Sequence, residues 1–306
     1  MRKFLIYFEA VRYNQWIKNL VVFTAPLFTG HLFELRTVLI CFFSFIVMSL
    51  ASSASYLLND ILDYKNDIKH PQKRLRPIAR GAVAVHEAVF VMFVLVIVVL
   101  TISVFYSLAF FLIVFAFLLL HFLYSLYFKQ KTLLDIFTIS FSFVLRALAG
   151  EVATGYHIPI WLLMTIFFIS LFMASVKRHA ELVRHGTASR KVLENYPEHL
   201  LTFLTTTFAT TTIISYAFYT YFENAPIVQT ALTRFFSHYL PAFELRRWMM
   251  ITIPFVVMGI SRYAQLLYTF EEGERPEKII VTDKFIIAVI LIWALIIISL
   301  IYVFQQ

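Results

Sequence analysis

Asn59-Asp60-Ile61-Leu62-Asp63-Tyr64-Lys65-Asn66-Asp67 closes the long apolar run 38–58, and its reading decides that of the whole chain. A run of that length crosses the ~30 Å hydrocarbon core of a bilayer as a helix. Carboxylates at its end must then be satisfied at a membrane boundary. If the helix continues through them at about 100° per residue, Asp60, Asp63 and Asp67 fall within an arc of roughly 60° and can face one point. Unpaired, they would repel one another there. A hard divalent cation is the natural neutraliser, since Mg²⁺ takes one or two carboxylates and fills its other positions with water or substrate phosphate. The spacing predicts a phosphate-handling Mg²⁺ site on Asp60, Asp63 and Asp67, with Asn59 beside them. A solvated helix end whose acids pair with nearby lysines is the competing reading.

The rest of the chain agrees with a membrane setting. It has 306 residues, of which 60% are hydrophobic, 18% aromatic and only 14% charged, too apolar for a soluble domain of this length. Apolar runs long enough to span are bracketed near 20–33, 38–58, 89–105, 108–128, 134–152, 160–176, 200–222, 248–268 and 285–304. The expectation is an all-α polytopic membrane protein with about nine transmembrane helices. Glu9, Arg12 and Lys18 interrupt the first residues too early for a signal-peptide core, so the N-terminus is expected to be kept.

With a cytoplasmic N-terminus, only Arg36, Arg234, Arg246 and Arg247 fall outside and Arg146 falls within a span, leaving every other Lys and Arg on the cytoplasmic side. The formal charge of +8 then belongs to topology and anionic lipid, and no nucleic-acid partner is inferred from it. Cys41 is the only cysteine and lies in a span, which excludes an intramolecular disulfide. No low-complexity linker divides the chain, so residues 1–306 are expected to form one integral membrane domain. Its long charged loops, 61–86 and 178–199, lie on the cytoplasmic side, where chemistry is expected. The 223–247 loop is external, an interfacial connection with room for a short helix. A four-span pseudo-repeat is compatible with the loop pattern.

Basic residues follow the acidic motif directly, in Lys73-Arg74-Leu75-Arg76-Pro77-Ile78-Ala79-Arg80-Gly81. Mg²⁺ on the aspartates beside Lys73, Arg74 and Arg76 would bind a diphosphate, because guanidinium forks pair with phosphate oxygens. Ordinary positive-inside charge is the alternative. Arg12, Gln15, Lys18 and Asn19 precede the first run on the same side, as substrate donors or as interfacial anchors with Trp16. In 134–152, Asp135, Ser142, Arg146 and Gly150 share a stripe of roughly 80° on one helix face. A charge inside a span usually faces a polar cavity or a partner, so Arg146 reads as a site residue or as the partner of Asp135 or Glu151. Gly150 with Ala149 and Ala153 fits close helix packing equally well. Lys177, Arg178 and Glu181 are either phosphate ligands or a helical ion-pair set, and Tyr124 and Lys129 are placed at the site's entrance. Arg262-Tyr263 reads as an interfacial snorkelling pair.

The Asn-Asp-x-x-Asp-x-x-x-Asp pattern of 59–67, followed by Arg74-x-Arg76-Pro77-x-x-x-Gly81, resembles the UbiA superfamily of intramembrane prenyltransferases. More narrowly, Gln15-Trp16-Ile17-Lys18-Asn19, Ala25-Pro26-Leu27-Phe28, Lys73 to Ala79, Val144-Leu145-Arg146-Ala147 and Lys177-Arg178-His179-Ala180-Glu181 resemble the decaprenyl-phosphate phosphoribosyltransferases within it. The resemblance implies a UbiA-type bundle around a cytoplasm-facing cavity in a bacterial-type inner membrane. It also implies transfer of 5-phosphoribose from phosphoribosyl diphosphate to a polyprenyl phosphate, with release of pyrophosphate. Where prenyltransferases of the superfamily carry a second aspartate-rich motif, this chain has Lys177-Arg178-x-x-Glu181, which suits a donor with an extra phosphate.

In that setting Asp60, Asp63, Asp67, Arg74 and Arg76 are the expected catalytic residues. Lys18 and Arg146 are matched to the acceptor phosphate and Lys177 and Arg178 to the donor 5-phosphate, or the reverse. An isoprenyl transfer to a small acceptor, or a non-catalytic transporter or lipid-binding scaffold, are the competing functions. Oligomeric state is left open.

Overall fold

The computed structural model describes residues 2–69, 73–185, 196–223, 248–270 and 282–303. Among them the protein is all-helical, and eight helices are long and apolar enough to cross a membrane. They group into two compact units, one of 1–26 and 31–157, the other of 27–30 and 158–306.

The first unit opens with α1 (Arg2–Ala10) and a 3-10 segment (Tyr13–Phe23), and α2 (Thr24–Phe28) begins in the same unit and ends in the second unit's short insertion 27–30. The expected first span, 20–33, thus ends the 3-10 segment and passes into a five-residue helix rather than one membrane-length helix. Four long helices follow: α3 (Leu35–Asp67), α4 (Val85–Tyr106), α5 (Leu108–Leu126) and α6 (Leu134–Thr154). Serine terminates and restarts the chain between α4 and α5: Ser107 alone links them, and its Oγ accepts from the Phe110 N–H at 3.1 Å. Gly155 ends α6 at φ 78°, a left-handed cap that suits glycine.

The centre of this unit is α3. Its middle carries Ser49, Ala51, Ser52, Ser53, Ala54 and Ser55, all buried, and these small side chains let the 3-10 segment, α5 and α6 approach its backbone. Val47, Met48, Val99, Phe110, Val114 and Phe117 fill the apolar core around it. Because α3 continues to Asp67, the expected loop 61–86 is shorter than its charge pattern suggests, and the acidic motif is helical throughout.

The second unit contains α7 (Ile160–His185), α8 (Glu198–Phe222), α9 (Ile253–Phe270) and α10 (Lys284–Ile298), so each unit has four spans. Helix α7 packs on α8, and α9 packs on both α8 and α10. The 223–247 loop lies outside the described residues beyond Glu223, and so do Arg234, Arg246 and Arg247. Arg262 does more than snorkel, since its Nη2 donates to Asp283 Oδ2 at 2.9 Å.

Asp283 also caps α10, its Oδ1 accepting from the Ile286 N–H at 2.9 Å. Arg262 first, and then this backbone donor, hold the Asp283 carboxyl below its ordinary value of 3.8. A depressed carboxyl contributes stability above its unfolded pKa, and the contribution fades as pH falls through the lower folded value. Asp283→Ala is expected to cost about 1–2 kcal/mol at neutral pH through the lost cap and ion pair. Thermal melting in detergent at pH 7 checks it, and an unchanged transition would contradict the cap.

Candidate active site

The last two turns of α3 leave the apolar run with two of their three aspartates still enclosed. Asp60 is 3% and Asp67 4% exposed, and charges so buried need partners. Arg12 provides the first, Nε donating to Asp60 Oδ2 at 3.2 Å and Nη2 to Oδ1 at 2.5 Å in a two-pronged fork. Arg76 provides the second, its Nη1 donating to Asp60 Oδ1 at 3.0 Å and to Asp67 Oδ2 at 2.6 Å. Asp63 turns to the 3-10 turn Phe128–Gln130 that follows α5, where Lys129 Nζ donates to its Oδ1 at 2.7 Å and reaches Asn59 Oδ1 at 3.4 Å.

These cations arrive from three segments far apart in sequence. Arg12 sits between α1 and the 3-10 segment at φ 53°, ψ 50°, a left-handed conformation costly for a side-chain-bearing residue. Its guanidinium also lies over the Tyr56 ring at 5.1 Å. Arg76 follows the 3-10 turn Lys73–Leu75. Arg74 in that turn is exposed, with no partner among the described residues, and the Lys73 charge acts on Asp67. Gln15 and Lys18 are half-buried on the 3-10 segment, and Tyr124 is half-buried near the end of α5.

The three aspartates therefore divide into a pair, Asp60 and Asp67, and a separately held Asp63. No group of three or more His, Cys, Asp or Glu side chains is arranged to hold a metal among the described residues. The pair nevertheless fits a divalent cation: one oxygen from each carboxylate converges on a single point, now taken by Arg76 Nη1. Two carboxylates with room for phosphate is the donor set Mg²⁺ favours.

A second polar cluster lies deeper in the same unit. Arg146, 2% exposed on α6, donates from Nε to Asn19 Oδ1 at 2.7 Å and from Nη1 to Ser142 Oγ at 2.8 Å. Ser52 Oγ donates to the same Asn19 oxygen at 3.3 Å, and Asn19 Nδ2 donates to Ser49 Oγ at 3.1 Å. Neither Asp135 nor Glu151 pairs with Arg146 among the described residues. Asp135 is fully buried in the first turn of α6, and Glu151 accepts from His157 Nδ1 at 3.0 Å if that nitrogen carries the proton.

In the second unit, Lys177, Arg178 and Glu181 all lie on α7, and buried Arg178 donates to Glu181 within that helix. The helical ion pair is thus formed.

His121 is the residue the sequence reading missed. It is the one histidine of the apolar α5, with no companion at ligand spacing, and only its neighbours in space distinguish it.

A family model described as the UbiA prenyltransferase family matches residues 20–276. The decaprenyl-phosphate phosphoribosyltransferase of Corynebacterium glutamicum is 32% identical, over 96% of this chain and 86% of that protein. Proteins of the same name from Mycolicibacterium smegmatis and Mycobacterium tuberculosis are 34% and 33% identical, each over 93% of this chain and over 89% and 90% of their own lengths. Among solved structures, a UbiA homologue from Archaeoglobus fulgidus bound to GPP and Mg²⁺ aligns with a TM-score of 0.68 at 17% identity, covering 95% of this chain and 96% of its own. A digeranylgeranylglyceryl phosphate synthase aligns at 0.63 and 19%, covering 98% and 99%. At those identities the structures speak for the fold.

Proposed function

The chain belongs to the UbiA prenyltransferase family, and from that premise we propose that it is a multi-pass membrane enzyme transferring 5-phosphoribose from phosphoribosyl diphosphate to a polyprenyl phosphate. The observation that carries this reading is its 32–34% identity, along nearly the whole chain, to relatives named for that reaction. The site chemistry supports it. Three aspartates with Arg12, Arg76 and Lys129 beside them suit a donor that brings both a metal and several phosphate charges.

Asp60 and Asp67 would hold Mg²⁺, with Asp63 and Asn59 completing the polar wall. An ion held there would supply the positive charge that offsets the donor diphosphate and the departing pyrophosphate. Arg76 and the exposed Arg74 donate to the leaving oxygens, and Arg12 holds Asp60 in orientation. Lys129 fixes Asp63. The C1–O bond to the diphosphate breaks as an oxygen of the lipid phosphate forms the new bond to C1, with inversion. The acceptor is already an anion at neutral pH, so the step calls for no strong general base. Catalysis is then mostly positioning and charge neutralisation.

We place the aspartate end of α3 at the cytoplasmic face, where the water-soluble donor is found and most Lys and Arg residues fall. The test is an assay of purified protein with Mg²⁺, phosphoribosyl diphosphate and polyprenyl phosphate. Lipid-linked phosphoribose and pyrophosphate are expected. Failure of that reaction, together with prenyl transfer from an isoprenyl diphosphate in a parallel assay, would replace this reading with the prenyltransferase one.

A further inference from the structure

The Arg146 guanidinium is an unusual charge to find in a membrane unit. It is buried, its partners are the neutral Asn19 and Ser142, and no carboxylate pairs with it among the described residues. Phe117 and Phe143 lie under the same guanidinium at 4.8 and 5.0 Å, so aromatic faces supply part of its stabilisation. A full charge so placed is costly, and residues of this kind usually serve a ligand or an ion path.

A group with an unsatisfied nitrogen shares the Phe117 ring with it. His121 packs on that ring, its own centroid 4.4 Å from that of Phe117, and its Nε2 is buried without a hydrogen-bond partner. The charges acting on the imidazole are those of Arg146 and Lys18, both cationic. A buried nitrogen without a partner and a buried cation without a counter-ion are each unfavourable alone. One anion that accepts from both would satisfy them together.

We propose that Arg146 and His121, with Lys18 at the rim, form a second phosphate subsite, for a phosphate monoester distinct from the diphosphate at the aspartates. This rests on the phosphoribosyl-transfer reading and deepens it. Asn19 ties the subsite to Ser52, and Ser52 precedes Asp60 by eight residues on α3, about 12 Å of helix. The subsite is thus a separate station within reach of one extended substrate or of a second one. Two groups have the required chemistry: the donor's 5-phosphate and the acceptor's lipid phosphate. His121 supplies one N–H and Arg146 the permanent charge, while Asn19 and Ser142 hold the guanidinium plane.

The experiment compares wild type with His121→Phe, His121→Gln and Arg146→Lys in detergent. Binding is measured for polyprenyl phosphate against the parent polyprenol, and for phosphoribosyl diphosphate against ribosyl diphosphate lacking the 5-phosphate. His121→Phe is expected to weaken one phosphorylated ligand about tenfold, the scale of a lost hydrogen bond to a charged group, and to leave its dephosphorylated counterpart unchanged. His121→Gln, which restores an N–H, recovers most of it, and Arg146→Lys weakens the same ligand through loss of the fork. Loss on polyprenyl phosphate assigns the subsite to the acceptor, and loss on phosphoribosyl diphosphate assigns it to the donor. His121→Phe and Arg146→Lys proteins that bind all four ligands as wild type does would overturn the subsite. A wild-type protein that binds neither phosphorylated ligand would overturn the parent reading instead.

Discussion

Asp60→Asn is expected to lower the rate of phosphoribosyl transfer by about a hundredfold to a thousandfold, the scale of removing one preorganised charge from a reacting centre. The size follows from where Asp60 stands. Among the described residues it is the one motif aspartate held by two arginines, accepting from Arg12 through both oxygens and sharing Arg76 with Asp67. An amide cannot accept at both positions, and it removes half of the carboxylate pair that fits a divalent ion. It also leaves two guanidinium groups facing one remaining charge. Because both arginine side chains are 25% exposed, water screens part of that excess, so the stability cost should be modest, about 1–2 kcal/mol. Asp63→Asn gives a useful contrast. Its side chain is 28% exposed and its partner is Lys129 alone, so a smaller loss is expected. Single-turnover transfer together with thermal melting separates the two effects. A folded Asp60→Asn enzyme with wild-type turnover would remove the aspartate pair from the chemistry.

Why Asp60 outranks Asp63 was not legible in the sequence. Helical spacing puts all three aspartates on one face, and α3 does carry them as one continuous helix. What divides them is the direction from which each cation comes: Arg12 is 48 residues away from Asp60, and Lys129 is 66 away from Asp63. Spacing rules work within a helix and are blind to such pairs. Hydropathy had a similar limit at 20–33. That run is apolar enough to look like a span, yet it begins in a 3-10 segment whose Asn19 is drawn to Arg146 on α6. The long helices α3 to α10 were readable because their apolar runs are continuous. His121 was not, because a lone histidine in an apolar helix acquires meaning only from Phe117 and Arg146 beside it.

Gly150→Ala is expected to be the most damaging single-methyl change in the first unit. A Cβ built on Gly150 would lie 1.9 Å from the Val22 carbonyl oxygen, 2.8 Å from its carbon and 3.0 Å from its Cα. All three are backbone atoms, so no side-chain rotation relieves the clash, and α6 and the 3-10 segment must move apart. That separation acts on the adjacent contact as well. Arg146 lies one turn before Gly150 on α6, Asn19 lies three residues before Val22, and the two are joined at 2.7 Å. Overpacking costs typically 1–3 kcal/mol, and a weakened charged hydrogen bond adds roughly 1.5–3 kcal/mol. A drop in melting temperature on the order of 10 °C follows. The effect should reach the active site too, since the displaced segment begins beside Arg12 and so sets the fork on Asp60. Gly150→Ala combined with Asn19→Ala tests that linkage: if both act by loosening one interface, the double variant should lose clearly less than the sum of the single losses. Strict additivity would separate the two contacts, and a Gly150→Ala protein that melts like wild type would show that the segment and α6 do not need this close approach.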